Sequence, residues 1–347
     1  MAELQSPSSD QHATWRPPSP TSYLLQIGFV GLGRIGYLMA RNLAQHCASN
    51  KFPPLLVWNR TLEKSENLLT ALGQAKIRIA KDPEQVALEC DVIITNLAND
   101  AAVKSIYQLF TAALTLTPPT HDKLFIESGT TYPSLAGELH IVMTSIPHSH
   151  FITCPVFGTP PIAEKAQLLL IMSGDYSSKK LAARLLVPAI GRKIMDLGEN
   201  VEKAPAFKLL GNSMLMGSLE VLSEAYTLAR KSGIATDNVH DLVKEILPSP
   251  GLIIYSDRMA NDRFDASNGF ALEGGIKDAS HVRRLMTQYH SPMPVIDTVH
   301  QHLLTTRALQ EQKEQNGEAT FETLDISGFI AGTRVASGLD GFDKKDT

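Results

Sequence analysis

Cysteine is scarce in this chain of 347 residues, and its three examples, Cys47, Cys90 and Cys154, lie far apart. They form no CxxC pair and no framework of bridges, so the sequence argues against a zinc ribbon and a disulfide-stapled fold. Sparse, unpatterned cysteine is typical of a reducing compartment, and we expect a cytoplasmic protein.

Long apolar runs and a basic excess are also missing. No apolar run reaches the roughly 18 residues that a membrane-spanning helix needs, so we expect no membrane partner. The 32 Lys and Arg residues face 36 Asp and Glu residues, which gives a net charge of −4. Because binding to nucleic-acid phosphates needs a basic surface, we expect no nucleic-acid partner either.

The two ends of the chain are polar. Residues 1–22 are rich in Ser and Pro and lack the apolar core of a secretory signal, so we predict a disordered tail there. Residues 336–347 are predicted to form a second, flexible tail. With 43% hydrophobic and 20% charged residues, the chain has the composition of a globular protein, and its length indicates about two domains.

Short apolar runs alternate with helical stretches from residue 23 to residue 199. A strand that leads directly into an amphipathic helix, repeated several times, is the pattern of an α/β domain. We therefore predict a doubly wound parallel sheet with helices on both faces. Its strands are predicted at residues 24–30, 55–58, 92–97, 123–127, 150–153 and 168–172.

The strand pattern stops near residue 200. From there we predict an all-α domain over residues 200–335, whose helices are separated by breaks that contain Pro and Gly, at residues 248–251 and 291–294. The helices are predicted at residues 204–232, 237–246, 272–288 and 295–315.

A glycine-rich turn, Gly31-Leu32-Gly33-Arg34-Ile35-Gly36, connects the first predicted strand to a helix. In that context the three glycines predict a dinucleotide-binding Rossmann domain. The first allows a tight turn, the second lets a pyrophosphate approach the backbone, and the third lets the helix pack closely on the strand. The phosphates would lie at the helix N-terminus, where free N–H groups favour an anion. An ordinary strand-to-helix turn is the alternative.

The end of the second strand indicates which dinucleotide would bind. NAD enzymes usually place a carboxylate there to accept hydrogen bonds from the ribose hydroxyls, whereas this chain has Asn59-Arg60-Thr61. A guanidinium pairs well with the 2′-phosphate of NADP, which a carboxylate would repel. We therefore predict that NADP(H) is preferred over NAD(H). The alternative is that Arg60 is an ordinary solvated loop residue.

The segment from Gly28 to Gly36, continued by Met39-Ala40-Arg41-Asn42-Leu43, resembles the opening of the β-hydroxyacid dehydrogenase family. That family includes 3-hydroxyisobutyrate dehydrogenases, semialdehyde reductases and relatives of 6-phosphogluconate dehydrogenase. The resemblance extends from about residue 26 to residue 333, with several motifs in the family's order. The later motifs are Asn96-Leu97-Ala98, Glu127-Ser128-Gly129-Thr130-Thr131-Tyr132-Pro133, Cys154-Pro155-Val156-Phe157-Gly158-Thr159, Lys208-Leu209-Leu210-Gly211-Asn212 and Gly275-Ile276-Lys277-Asp278.

The resemblance implies roles for particular side chains and a homodimer or homotetramer as the assembly. Lys208 and Asn212 correspond to the catalytic pair, and Asn212 also faces the substrate. The residues implied to bind the cofactor, besides those of the glycine turn and of the second strand's end, are Leu97, Ala98, Thr130 and Lys277. Those implied to bind the substrate are Gly129, Phe157, Gly158 and Thr159.

Two of these motifs depart from the family pattern. Gly129 stands where the family has a serine, and Phe157 and Thr159 replace the serine and the second glycine of the substrate loop. The serines help to hold a substrate carboxylate in the family. Because Phe157 removes a hydroxyl and adds a ring, our hypothesis is a larger or less polar carbonyl substrate.

Lys208 and Asn212 lie four residues apart on a predicted helix and so project from one face. A hydride that reaches a carbonyl carbon builds negative charge on its oxygen, which a lysine ammonium can stabilise and protonate. Since the ordinary lysine pKa is about 10.4, burial or a nearby cation such as Lys277 would have to lower it. Gly211 and Gly217, both in this helix, indicate close approach by another group or simply tight helix packing. A solvated surface lysine is the alternative for Lys208.

These observations predict an NADP(H)-dependent oxidoreductase that acts on a small carbonyl or hydroxy compound. Two alternatives stay open, namely a non-catalytic NADP-binding scaffold and an imine reductase-like enzyme, although imine reductases usually lack this lysine. The histidine pairs His148/His150 and His300/His302 have no third ligand at a recognisable spacing, so we predict no metal site.

Overall fold

The first domain is built on a six-stranded parallel sheet with the strand order β3-β2-β1-β4-β5-β6. The computed structural model describes residues 24–266 and 269–342, so the predicted tail over residues 1–22 lies outside the described residues. The strands are β1 (Ile27–Val30), β2 (Leu55–Trp58), β3 (Ile77–Ile79), β4 (Val92–Thr95), β5 (Lys123–Glu127) and β6 (Ser149–Thr153). The helices between them are α1 (Arg34–Ser49), α2 (Leu62–Leu72), α3 (Pro83–Glu89), α4 (Asp100–Leu116) and α5 (Pro133–Thr144).

This sheet is buried on both faces, as its continuous apolar strands predict. Phe29 and Ile94 face one apolar cluster, whereas Phe125 and Phe151 face another on the opposite side. The order of the strands reverses between β1 and β4, and in such sheets ligands bind beside this point at the carboxyl ends of the strands. The predicted Rossmann fold is confirmed.

A second, three-stranded sheet corrects one strand assignment. It consists of β7 (Val156–Phe157), β8 (Leu168–Met172) and β9 (Gly191–Asp196), with β7 antiparallel to β8 and β8 parallel to β9. The helices α6 (Pro160–Glu164) and α7 (Tyr176–Leu186) lie between these strands. The prediction that residues 168–172 belong to the large parallel sheet is therefore wrong. The reason is that the chain reverses after β7, where Gly158 takes a φ of +151° that side chains rarely adopt.

The second domain is all-helical, as predicted. Its first helix, α8 (Lys203–Lys231), has 29 residues and contacts α5 and β8 of the first domain as well as five further helices of its own domain. Those helices are α9 (Thr236–Ile246), α10 (Pro250–Ala260), α11 (Leu272–Gln288), α12 (Pro294–Gln315) and α13 (Ile330–Ala336). Among the helices of the described residues, none combines the length and the apolar character that crossing a bilayer requires.

Several elements escaped prediction because their signals are short or conflicting. Strand β3 has three residues, and helix α3 has seven. Helix α10 is not apparent from the sequence because Pro250 resembles a break, although proline is well tolerated in the first turn of a helix.

Part of the predicted C-terminal tail, residues 337–342, belongs to the described structure. There the centroid of the Phe342 ring lies 6.4 Å from that of the Phe264 ring.

Candidate active site

The turn at the end of β1 has no room for a side chain at Gly31 or at Gly36. A Cβ at Gly31, whose φ is +101°, would lie 2.3 Å from the carbonyl oxygen of Asn96, and one at Gly36 would lie 2.2 Å from that of Gly31. Gly33 is different, because no atom of the described residues lies within 4 Å of a Cβ built there. Gly33 is exposed and precedes the first turn of α1, whose N–H groups have no partner within the helix. This open backbone at a helix N-terminus fits a pyrophosphate.

The loop after β2 braces this turn. The side-chain oxygen of Asn59 accepts a hydrogen bond from the N–H of Leu32 at 2.8 Å, and its amide nitrogen donates to the carbonyl of Thr61 at 2.9 Å. Asn59 therefore links the glycine turn to the start of α2. Arg60 is exposed beside it, at the edge where a ribose bound to the glycine turn would lie. The guanidinium of Arg34 instead lies near the second domain, with Nη1 3.5 Å from the carbonyl oxygen of Gly269.

A cavity of about 340 Å³ lies where α8, α10 and α11 face the loops of the first domain. It brings together eleven of the residues singled out from the sequence, drawn from six separate segments. These are Ile35, Leu97, Ala98, Gly129, Thr130, Phe157, Gly158, Thr159, Lys208, Asn212 and Lys277. The other predicted site residues do not line it and remain on the glycine turn and the loop after β2. These are Gly31, Leu32, Gly33, Arg34, Gly36, Asn59, Arg60 and Thr61.

Four polar side chains form a connected network in this cavity. The ammonium of Lys208 donates to the side-chain oxygen of Asn212 at 3.0 Å, and the amide nitrogen of Asn212 donates to Asp278 Oδ2 at 2.6 Å. The other oxygen of Asp278 pairs with Lys277 Nζ at 2.9 Å. Lys277 also donates to the carbonyl oxygen of Thr130. Asp278, which is 1% exposed, thus connects both lysines, although it was not among the predicted site residues.

The electrostatic setting of Lys208 differs from that of a surface lysine. Burial of its ammonium lowers its pKa to about 8, Lys277 acts in the same direction, and the negative charge of Asp278 opposes both. A group with this pKa exchanges a proton readily near neutral pH. Lys208 is therefore equipped to protonate an oxygen in the cavity and to accept the proton back.

The ring of Phe157 lies against Lys208 and against the backbone of α8. The distance from Lys208 Nζ to the ring centroid is 4.0 Å, within the range of a cation–π contact. A Cβ at Gly211 would lie 2.2 Å from the tip of this ring, whereas one at Gly217 would meet Val295 at an ordinary 3.4 Å. Gly211 is therefore the helix glycine that admits a close neighbour, and the neighbour comes from the substrate loop of the other domain.

Glu127, at the end of β5, was not singled out from the sequence, yet its carboxyl lies behind the cavity wall. Its oxygens accept hydrogen bonds from the N–H of Gly129 at 2.7 Å and from the hydroxyl of Thr95 at 2.5 Å. Burial raises its pKa to about 7, although both hydrogen bonds favour the charged form. A Cβ at residue 129 would lie 2.7 Å from the carboxyl, so the glycine there makes room for it.

The remaining polar clusters have local partners. His148 and His150 both face Asp122, and His302 bonds to Glu220 at 2.7 Å. Within residues 24–266 and 269–342, no three or more His, Cys, Asp and Glu side chains are grouped so that they could hold a metal ion. Cys154 is buried, which raises the pKa of its thiol to about 12.

Sequence comparison covers both domains. A profile of the NAD binding domain of 6-phosphogluconate dehydrogenase matches residues 26–198. A profile described as NAD-binding of NADP-dependent 3-hydroxyisobutyrate dehydrogenase matches residues 203–321. The chain belongs to the β-hydroxyacid dehydrogenase family. The resemblance noted from the motifs is thereby confirmed, and the chain is placed among NAD(P)-binding oxidoreductases.

Curated relatives match this chain at moderate identity. The "NADH-dependent oxidoreductase ucdB" of Aspergillus ustus is 28% identical over 306 residues, which cover 88% of this chain and 98% of the relative. The "Probable 3-hydroxyisobutyrate dehydrogenase" of Mycobacterium tuberculosis is 32% identical over 220 residues, covering 62% of this chain and 68% of the relative.

Solved structures share the fold. The 3-hydroxyisobutyrate dehydrogenase of Mycobacterium tuberculosis has a TM-score of 0.70 at 22% identity, over 90% of this chain and all of that one. A reductive aminase of Aspergillus terreus has a TM-score of 0.55 at 17% identity, again over 90% of this chain and all of that one.

Proposed function

We propose that this member of the β-hydroxyacid dehydrogenase family is an NADP(H)-dependent oxidoreductase that interconverts a small carbonyl compound and its alcohol, with Lys208 as the general acid and base. One observation carries the proposal: Lys208, with its pKa near 8, lines the same cavity as Ile35 of the glycine turn and as Leu97. A proton donor and the predicted cofactor loops therefore share one cavity, as carbonyl reduction requires.

The hydrogen-bonded side chains around Lys208 have distinct roles in this proposal. A bound nicotinamide would supply or accept the hydride at the substrate carbon. Lys208 stabilises the charge that develops on the substrate oxygen and donates its proton to it, and in the reverse direction it removes the proton from the alcohol. Asn212 holds the ammonium through its side-chain oxygen, and Asp278 holds the amide of Asn212. The hydrogen bond from Lys277 to the carbonyl oxygen of Thr130 joins α11 to a predicted cofactor loop of the first domain.

The preference for NADP(H) rests on the loop after β2. Arg60 is exposed beside the braced glycine turn, and Asn59-Arg60-Thr61 contains no carboxylate to repel a 2′-phosphate. The printed name of the Aspergillus ustus relative specifies NADH, so the preference has to be measured on this chain. The ratio of kcat/KM for NADPH and NADH, with one carbonyl substrate, decides it: a ratio below one contradicts this part of the proposal.

A homodimer or homotetramer is the proposed assembly. Leu210, Met214, Val221 and Leu228 form an exposed apolar stripe along α8, each between 50% and 74% exposed in the single chain. A second copy would bury such a stripe. Light scattering coupled to size-exclusion chromatography measures the mass, and a monomer at micromolar concentration contradicts the assembly.

The proposed compartment is the cytoplasm. All three cysteines are free and buried, and the lack of disulfides is typical of proteins in a reducing compartment. Imaging of the chain with a fluorescent protein fused to its C-terminus tests this, and accumulation in an organelle contradicts it.

The test of the activity is NADPH oxidation with a panel of aldehydes and ketones, each assayed alone and together with a primary amine. Turnover of a carbonyl compound alone supports the proposal. Turnover that needs the amine would indicate an imine reductase-like enzyme, and the reductive aminase of Aspergillus terreus has the same fold. Tight NADPH binding without turnover of any compound would indicate a scaffold protein.

A further inference from the structure

Two aromatic rings line the cavity, and each packs closely against a glycine of a helix. Phe157 packs on Gly211 of α8, as described above. Phe270 packs in the same way on Gly274 of α11, where a Cβ would lie 2.5 Å from the ring. Both rings line the cavity, together with Leu215 and Tyr255. The absence of a side chain at Gly211 and Gly274 lets both rings approach the helix backbones closely, so they form apolar walls of the cavity.

In the loop that corresponds to the family's carboxylate-holding loop, two hydrogen-bond donors are engaged by internal partners. The N–H of Gly129 donates to Glu127 at 2.7 Å, and the hydroxyl of Ser128 donates to the carbonyl of Thr95 at 2.6 Å. The carboxyl of Glu127 itself lies directly behind Gly129. A substrate carboxylate at this wall would therefore find one remaining hydroxyl, that of Thr130, and an acidic group close by.

The cationic side chains of the cavity also have partners within the protein. Among the described residues that line it, the cationic side chains are Lys208 and Lys277. The charge of Lys277 is paired with Asp278 at 2.9 Å. Lys208 faces the ring of Phe157, and an ion pair with a substrate carboxylate would favour its charged form and oppose proton donation. An ionised carboxylate in this cavity would thus be poorly compensated, and its desolvation is costly.

We propose that the substrate is an uncharged aldehyde or ketone that carries an aromatic or branched aliphatic group, and that Phe157, seated on Gly211, determines this specificity. The inference rests on the proposed function. The reaction is the same balanced reduction, in which the carbonyl carbon gains a hydride from the reduced nicotinamide and the oxygen gains the proton of Lys208.

Two pairs of aldehydes that differ by one carboxylate test the proposal. Benzaldehyde is compared with 4-carboxybenzaldehyde, and butanal with succinate semialdehyde, by kcat/KM at saturating NADPH. We expect the uncharged member of each pair to be preferred by about 100-fold, because the desolvated carboxylate is poorly compensated in this cavity. We also expect benzaldehyde to exceed butanal, because its ring gains apolar contacts with Phe157 and Phe270.

Three variants separate the role of the ring from general damage to the site. Phe157→Ser restores the family's hydroxyl and is expected to reduce the preference for the uncharged aldehyde by at least about tenfold. Phe157→Leu keeps an apolar wall and is expected to retain the preference. Gly211→Ala keeps Phe157 but displaces its ring, so it is expected to change the preference in the same direction as Phe157→Ser. The affinity for NADPH, measured by fluorescence titration, is expected to be unchanged in all three.

The outcomes distinguish this inference from the proposed function. Reduction of both members of each pair with the acids preferred would overturn the substrate class and leave the oxidoreductase proposal standing. An equal change of kcat/KM for both members in Phe157→Ser would overturn the specificity role of Phe157. Failure to reduce any of the four aldehydes, or any other carbonyl compound, would overturn the proposed function and this inference with it.

Discussion

The side-chain amide of Asn212 is held by the buried carboxylate of Asp278, with 2.6 Å between Nδ2 and Oδ2. This bond fixes which end of the amide faces Lys208, because the nitrogen is already committed and the oxygen accepts from the ammonium at 3.0 Å. Asp278 also interacts electrostatically with Lys208 and raises its pKa, against the effect of burial. Asp278 is therefore placed to influence both the orientation and the protonation of the proposed acid.

Replacing Asp278 is expected to move the pH profile of the reaction. Reduction needs Lys208 protonated, so kcat/KM for reduction is expected to be flat below pH 8 and to fall above it. Asp278→Asn removes the negative charge that favours the ammonium, so this falling limb moves to lower pH. The pH dependence of NADPH oxidation at saturating cofactor measures it. A limb at the same pH in both proteins would show that the titrating group is not next to Asp278.

The glycine turn offers a substitution that separates folding from cofactor binding. A Cβ at Gly33 meets no atom of the described residues, so Gly33→Ala is expected to keep the melting temperature of the protein without cofactor. The methyl group would occupy the space that a pyrophosphate needs, so NADPH affinity is expected to fall by at least about tenfold. Gly36→Ala serves as the contrast, since its Cβ would lie 2.2 Å from a backbone oxygen and is expected to destabilise the fold. Unchanged NADPH affinity in Gly33→Ala would place the phosphates elsewhere.

Arg60 is expected to discriminate between the two dinucleotides. Its exposed guanidinium is available for a charge-assisted pair with the 2′-phosphate, which NADH lacks. Arg60→Ala should therefore weaken NADPH binding by about tenfold and leave NADH binding nearly unchanged. Isothermal titration with each cofactor measures both constants. An equal loss for the two cofactors would contradict a specific role for the guanidinium.

Glu127 makes the stability of the fold dependent on pH. Its pKa is about 7 in the folded protein and 4.5 in the unfolded chain, so the folded state holds this proton more tightly. The resulting contribution is complete below pH 4.5 and is lost as the pH rises through 7, an effect of up to about 3 kcal/mol. Glu127→Gln is expected to remove this dependence, as urea unfolding at pH 5 and pH 8 would show. Parallel loss of stability in both proteins over this range would contradict it.

Local sequence patterns sufficed for much of this molecule. The strand-glycine turn-helix order predicted the Rossmann sheet. The spacing of Lys208 and Asn212 predicted that both project from one face of a helix, and there they are hydrogen-bonded. Strand β3 was missed because its three residues carry too little periodicity. Contacts between distant segments were also beyond prediction from spacing. The packing of Phe157 on Gly211 is one of these, because nothing local to either residue specifies the other.

Removal of the Lys208 ammonium by Lys208→Ala tests its role as the proton donor, with exposed Lys231→Ala on the same helix as the matched control. The measurement is the single-turnover rate of NADPH oxidation with a reducible aldehyde, alongside the affinity for NADPH. We expect a loss of at least about 100-fold in the rate for Lys208→Ala, with NADPH affinity unchanged and with Lys231→Ala like the parent protein. A Lys208→Ala protein that reduces the aldehyde at the parent rate would show that Lys208 is not the proton donor.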